Sequence, residues 1–180
     1  SHNDVLMVGL VCIAMAIALR GHFIAGVVVA TLALGIKPVA IVLLPFLALI
    51  AAGSGASLIR RAKYGAIAGL IALSTLFITS ALAETGPFGW IGSLSTPGTV
   101  KSWLSPTTAL GMLIGGPIRM LGFGNVIDTS VGITRLIGSV LLAIVLVMLV
   151  LRPAGRSATR GVALSFVALV VLGPVVQPWY

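Results

Sequence analysis

The run Leu136–Leu151 is apolar on every side of any regular structure it can form, and several other runs approach or exceed the ~20 residues needed to cross a hydrocarbon core. A β-barrel would alternate polar and apolar residues along each strand, and no such alternation is present. The chain is therefore predicted to be all-α, a polytopic integral membrane helix bundle with short or broken helices. With 59% hydrophobic and 8% charged residues, nearly every charge must face water or line a cavity. Asp4 is one of only three acidic side chains, and it sits in the polar triplet His2-Asn3-Asp4, which opens an apolar run. That makes it a candidate site residue.

A net charge of +8 is compatible with nucleic-acid binding only where basic residues cluster with polar and aromatic neighbours on a soluble face. Here they punctuate apolar segments, so no nucleic-acid partner is expected. Arg20, the group Arg60, Arg61 and Lys63, and the group Arg152, Arg156 and Arg160 each fall between two apolar runs, which marks the inner side under the positive-inside rule. From that assignment His2 to Asp4 lie outside, and Val5 to Leu19 run inward. Phe23 to Ile36 return outward to Lys37-Pro38, and Val39 to Ala52 go inward again. Tyr64 to Ala83 run outward, Val131 to Leu151 inward, and Val162 to Val176 outward to Gln177-Pro178-Trp179-Tyr180. The expected location is the cytoplasmic membrane, multi-pass, with the polar motifs on its outer face. The single cysteine, Cys12, reads as a buried small hydrophobe.

Phe23 to Ala52 admits a second reading, one kinked helix. That would leave Lys37 near the bilayer centre at a cost of about 2.5–3.5 kcal/mol and put two basic loops outside. Pro38 also pushes its predecessor out of the helical region. Two short legs fit better, each rising only about 21 Å against a core of about 30 Å. A break at that depth needs protein or a water-filled cavity around the freed backbone groups, so Lys37 is read as facing a polar cavity. A snorkelling lysine at a helix end is the plainer alternative.

Residues 84–130 form the long outer-face segment, where turn formers mix with Trp90 and Trp103. Their indoles suit headgroup anchoring or a sugar face. Ser105-Pro106 resembles a helix start, with serine capping and proline at the first helical position. The helix that follows is expected to be a half-helix interrupted at Gly115-Gly116-Pro117. Arg119 and Arg135 are candidate anion partners there, Arg135 about one turn into its helix, or paired instead with Asp128 or Glu84. His2 and Asp4 are only two potential ligands, so no metal site is expected. His22 reads as an exposed loop residue, and glycines such as Gly65 and Gly69 as close helix packing. Residues 1–180 read as part of a single transmembrane domain cut at both ends, with no cleavable signal.

His2-Asn3-Asp4, Lys37-Pro38 followed by Leu44-Pro45-Phe46, Trp103-Leu104-Ser105-Pro106-Thr107-Thr108, and Gln177-Pro178-Trp179-Tyr180 occur in that order. In this the chain resembles the actinobacterial α-1,6-mannosyltransferases of the GT-C class, along essentially its whole length. The resemblance implies a GT-C-like fold. It also implies inverting transfer of mannose from polyprenyl-phosphate mannose to a mannan glycolipid acceptor, of the lipomannan and lipoarabinomannan kind, on the outer face. It implies no cofactor beyond the lipid-linked donor. Such enzymes usually carry a catalytic acid in a first outer loop, which would lie upstream of Ser1, so the fragment alone is expected to be inactive.

In that chemistry the leaving group is already a phosphate and needs charge stabilisation, for which Lys37, Arg119 and Arg135 are candidates. Asp4 is the candidate base, with a pKa raised in a partly dry cavity, or else a sugar-hydroxyl acceptor or a helix cap. His2 and Asn3 would position sugar hydroxyls, with Gln177, Trp179 and Tyr180 on the opposite wall and Trp103 as a further substrate contact. The competing function is a permease or lipid transporter with a midplane site at Lys37-Pro38, which no inverted repeat supports.

Overall fold

The computed structural model describes residues 2–84, 103–122, 126–151 and 157–173, and of His2 only its backbone. The described elements are α1 (His2–Leu19), α2 (Phe23–Ile36), a 3₁₀ turn (Pro38–Val42), α3 (Leu43–Ala52), α4 (Leu58–Leu82), α5 (Pro106–Met120), α6 (Ile127–Leu151) and α7 (Ala158–Leu172). Large apolar side chains point outward on α1, α2, α4, α5, α6 and α7, among them Val5, Ile24, Leu70, Leu113, Ile137 and Val167. Covering a surface with such side chains is stable in lipid and not in water. Leu58–Leu82 and Ile127–Leu151 are long and apolar enough to cross a membrane, rising about 37 Å each. The protein is an all-α membrane helix bundle. It divides into two units, residues 1–94 with 152–163, and residues 95–151 with 164–180.

In the first unit α1 and α2 form an antiparallel pair. Met7, Val11, Ala14, Met15 and Ala18 are buried along one stripe of α1, at the spacing of a single helix face. Gly26 of α2 lies so close to Ala14 and Ala18 that a β-carbon there would stand 3.1 Å from each. The connection closes by a Schellman pattern. The His22 amide donates to the Ile17 carbonyl and the Gly21 amide to that of Ala18, with Gly21 at φ +88°.

At Lys37 the helix stops. Its backbone is extended (φ −143°, ψ 125°), as the following proline demands, and Pro38 starts the 3₁₀ turn. The Lys37 amide still donates to the Ala33 carbonyl and its carbonyl accepts from the Ala40 amide, so the break leaves neither group bare. The chain then turns back. Leu47, Ile50 and Ala51 of α3 line one cavity with Leu19 and Phe23, at the far end of α2 from Lys37. The two-leg reading of Phe23 to Ala52 is the observed one. Phe46, buried against Gly161 of α7, anchors α3 in this unit.

Several expectations change. Arg60, Arg61 and Lys63 are not in a loop but in the first turns of α4, because Ser57 caps the helix by accepting from the Arg60 amide. Ser157 does the same for Arg160 at the start of α7. Cys12 is exposed, on the outward side of α1, since Val11, Ala14 and Met15 take the inward stripe. Gly65 and Gly69 have no neighbouring atom within contact of an added β-carbon, so close packing is not their role.

The second unit holds the close glycine contacts. Gly111 and Gly115 of α5 face α6, where added β-carbons would stand 2.5 Å from the Val131 Cα and 2.7 Å from the Ile127 Cα. Gly138 of α6 faces Thr107. The ridge 107, 111, 115 thus runs antiparallel to 138, 131, 127, a small-residue seam of the kind that lets membrane helices touch backbone to backbone. The Gly115-Gly116-Pro117 sequence does not interrupt α5, which continues to Met120 with Pro117 inside it. Helix α6 begins four residues earlier than expected, at Ile127, which places Arg135 about two turns in.

Candidate functional site

Asp4 lies sixteen residues before Arg20, and Lys37 sixteen after Gly21. A helical hairpin with legs of equal length brings such positions level, and here the Lys37 ammonium donates to the Asp4 carboxylate as an ion pair. Each charge also sits at the favourable end of its helix, the carboxylate in the first turn of α1 and the ammonium just past the last turn of α2. The pair is reachable from outside: 24% of the Lys37 side chain and 40% of that of Asp4 remain exposed.

This contact decides the electrostatics. Asp4 precedes the apolar span Val5–Leu19, and the Lys37 hydrogen bond holds its carboxyl below the usual carboxylate range, overriding the smaller opposing effect of desolvation. The expected raised pKa is therefore not found. Asp4 is ionised at neutral pH, and as it stands it is a hydrogen-bond acceptor and a weak base. The chain reverses at Lys37, and the ion pair ties Lys37 to the start of α1.

The motif Trp103-Leu104-Ser105-Pro106-Thr107-Thr108 organises the second unit. Ser105 is at the N-cap of α5 with Pro106 first in the helix, but its hydroxyl does not cap. It donates to the Gly173 carbonyl at 3.1 Å, and Thr107 donates to the same carbonyl at 3.0 Å. Gly173 ends α7, so the two hydroxyls satisfy a carbonyl that the helix leaves over. Thr108, fully buried, accepts from the Arg135 Nε at 2.9 Å. The guanidinium of α6 is thereby held against α5. These three hydroxyls were visible in the motif, but as helix-start residues only. Nothing in their spacing points to the Gly173 carbonyl sixty-odd positions away.

The other candidates are placed as follows. Asn3 is exposed beside Asp4, and His2 begins the same helix. Trp103 is 62% exposed next to exposed Leu104, the position of an interfacial aromatic. Arg119 is exposed in the last turn of α5, where its charge complements the helix dipole. It stands eleven residues, about 16 Å along the axis, from Thr108, the partner of Arg135. Arg119 and Arg135 therefore do not converge on one anion. Gln177, Trp179, Tyr180 and Trp90 lie outside the described residues, as does most of the connection ahead of α5.

Residues 1–53 match a family model described as the N-terminal domain of alpha-(1→6)-mannopyranosyltransferase, and residues 107–180 match one described as the MptB C-terminal domain. Alpha-(1→6)-mannopyranosyltransferase A of Mycobacterium tuberculosis is 34% identical over 194 residues, covering 99% of this chain and 36% of that protein. Alpha-(1→6)-mannopyranosyltransferase B of Corynebacterium glutamicum is 34% identical over 119 residues, 63% of this chain and 20% of its own length. The A protein of the same organism is 26% identical over 200 residues, 99% of this chain and 40% of its own. The chain thus spans little more than a third of the length of the first of these curated relatives. No solved structure matches it.

Proposed function

Since the chain belongs to the actinobacterial α-(1→6)-mannopyranosyltransferase family, we propose that it forms part of a membrane mannosyltransferase that uses polyprenyl-phosphate mannose as donor. The acceptor is an α-1,6-mannan glycolipid, reached from the outer face of the cytoplasmic membrane. The observation that carries this reading is the Asp4–Lys37 pair, a part-buried ammonium and carboxylate at the end of the first unit opposite Arg20 and Arg60.

In the proposed reaction the acceptor hydroxyl attacks the anomeric carbon from the face opposite the phosphate. The bond from that carbon to the phosphate oxygen breaks, and the electron pair leaves with the phosphate. Lys37 supplies positive charge to that leaving group. A lysine turned toward a phosphate releases Asp4, whose proton affinity then rises. Asp4 is thus fit to take the acceptor's proton only once the donor is bound. His2 and Asn3 flank it for sugar hydroxyls. In the second unit, taken by itself, Arg135, oriented by Thr108, is an anion contact in its own right.

The test is transfer of labelled mannose from polyprenyl-phosphate mannose to an α-1,6-mannoside acceptor, in membranes carrying the full-length protein. Loss of transfer in Asp4→Asn, with the protein still present in the membrane, is the expected result. Absence of transfer by the unchanged protein with intact donor overturns the donor assignment. Uptake without transfer favours the permease.

A further inference from the structure

At the opposite end of the first unit from Asp4 and Lys37, the turn ends of α1–α2 and α3–α4 enclose a half-open cavity of about 310 Å³. Phe23, Leu47, Ile50 and Ala51 give it apolar walls, and Tyr64 of α4 forms its side. The rings of Phe23 and Tyr64 meet edge to face at 5.4 Å, and the Arg60 guanidinium lies 6.0 Å from the Tyr64 centroid. Arg20 follows Leu19 at the rim. A volume of this size is at the lower bound for small-molecule sites.

The charge around it is one-sided. Arg60, Arg61 and Lys63 stand in the first two turns of α4, where the helix dipole is already positive and a cation is disfavoured. The two carboxylates of this unit are far away. Glu84 lies twenty residues beyond Tyr64, about 30 Å along α4, and Asp4 fifteen residues before Leu19, about 22 Å along α1. A cavity whose apolar side chains Phe23, Leu47, Ile50 and Ala51 sit beside the backbone of the Ala18–Gly21 turn, near cations with no carboxylate close by, is complementary to a molecule that is apolar at one end and anionic at the other.

We propose that this cavity binds an anionic phospholipid, with the upper part of one acyl chain against Phe23, Leu47 and Ile50. The headgroup phosphate lies on Arg60, with Arg20 at the rim. Tyr64 links the two halves, its ring packing on Phe23 and orienting the guanidinium above. The site is separate from the Asp4–Lys37 pair and does not rest on the transferase reading.

Native mass spectrometry of the full-length protein, titrated with dioleoyl phosphatidylglycerol or dioleoyl phosphatidylcholine, tests this. The unchanged protein is expected to prefer phosphatidylglycerol by on the order of tenfold, since each cation near a surface phosphate contributes about fivefold. Arg60→Gln should cut that preference about fivefold. Ala51→Phe, which fills the cavity, should weaken both lipids and leave their ratio unchanged. Equal affinity for the two lipids in the unchanged protein overturns the proposal, as does an undiminished preference in Arg60→Gln. Binding of inorganic phosphate alone as tightly as phosphatidylglycerol overturns it too, because the apolar side chains would then have no part in binding.

Discussion

A β-carbon at Gly138 would stand 2.5 Å from the Thr107 methyl and 2.6 Å from the Leu172 carbonyl. Thr107 is not free to retreat, because its hydroxyl is bonded to the Gly173 carbonyl. Gly138→Ala is therefore expected to destabilise by about 1–3 kcal/mol, the range for overpacking. Gly132→Ala, on the same helix with nothing within 4 Å, should be neutral or stabilise by several tenths of a kcal/mol through helix propensity. Thermal unfolding of the two full-length variants in detergent checks the contrast. Equal midpoints would mean that this seam is not packed as described.

Gly111→Ala should be the harsher change. Its β-carbon would meet the α6 backbone at Val131 and the Thr134 hydroxyl, both at 2.5 Å, and backbone cannot rotate away. The expected readout is loss of folded full-length protein on size exclusion, whereas Gly116→Ala, beside open space, should elute as the unchanged protein does.

How much of this was legible beforehand divides along physical lines. The reversal at Lys37-Pro38 was readable, because proline acts on its own neighbour and the charge of Lys37 penalises the alternative. The equal legs that bring Asp4 to Lys37 were present in the numbering, but only the turn at Gly21 turns sixteen and sixteen into a contact. Glycine roles were not readable. Gly65 and Gly69 have the same spacing as Gly111 and Gly115, and which pair faces another helix is decided by tertiary packing. The same holds for Cys12 against its buried neighbour Val11, since an all-apolar helix carries no amphipathic signal to say which side is inward.

The Arg135–Thr108 bond predicts a positioning effect. Thr108→Val keeps the shape and removes the acceptor of the 2.9 Å bond from the Arg135 Nε, which loosens the guanidinium against α5. On the proposed donor, the expected result is a raised KM with kcat less affected, and recovery in Thr108→Ser. A stability cost of about 1–3 kcal/mol should accompany it. Equal impairment in valine and serine variants would assign Thr108 to packing alone.

Topology is testable with a membrane-impermeant maleimide on whole cells. In a Cys12→Ala background, Asn3→Cys is expected to react from outside, while His22→Cys and Ser54→Cys, exposed near the basic end, should react only after permeabilisation. The reverse pattern would invert the bundle and place the Asp4–Lys37 pair on the inner side.

The pH dependence of Asp4 follows from the sign of its shift. Its folded-state pKa lies below the ordinary 3.8, because Lys37 stabilises the carboxylate. The contribution of the pair to stability is therefore fully present above 3.8 and is lost only as pH falls through the folded-state value. Between about pH 5 and 8, the difference in unfolding midpoint between Asp4→Asn and the unchanged protein should be constant. The same sign governs activity: without donor bound, Asp4 does not titrate in that window. The pH profile of kcat/KM, which reports the free enzyme, should thus carry no acid limb belonging to Asp4, and Asp4→Asn should lower it evenly. An acid limb near pH 6 that disappears in Asp4→Asn would show a carboxyl with a raised pKa in the free enzyme, and with it that Lys37 does not hold Asp4 there.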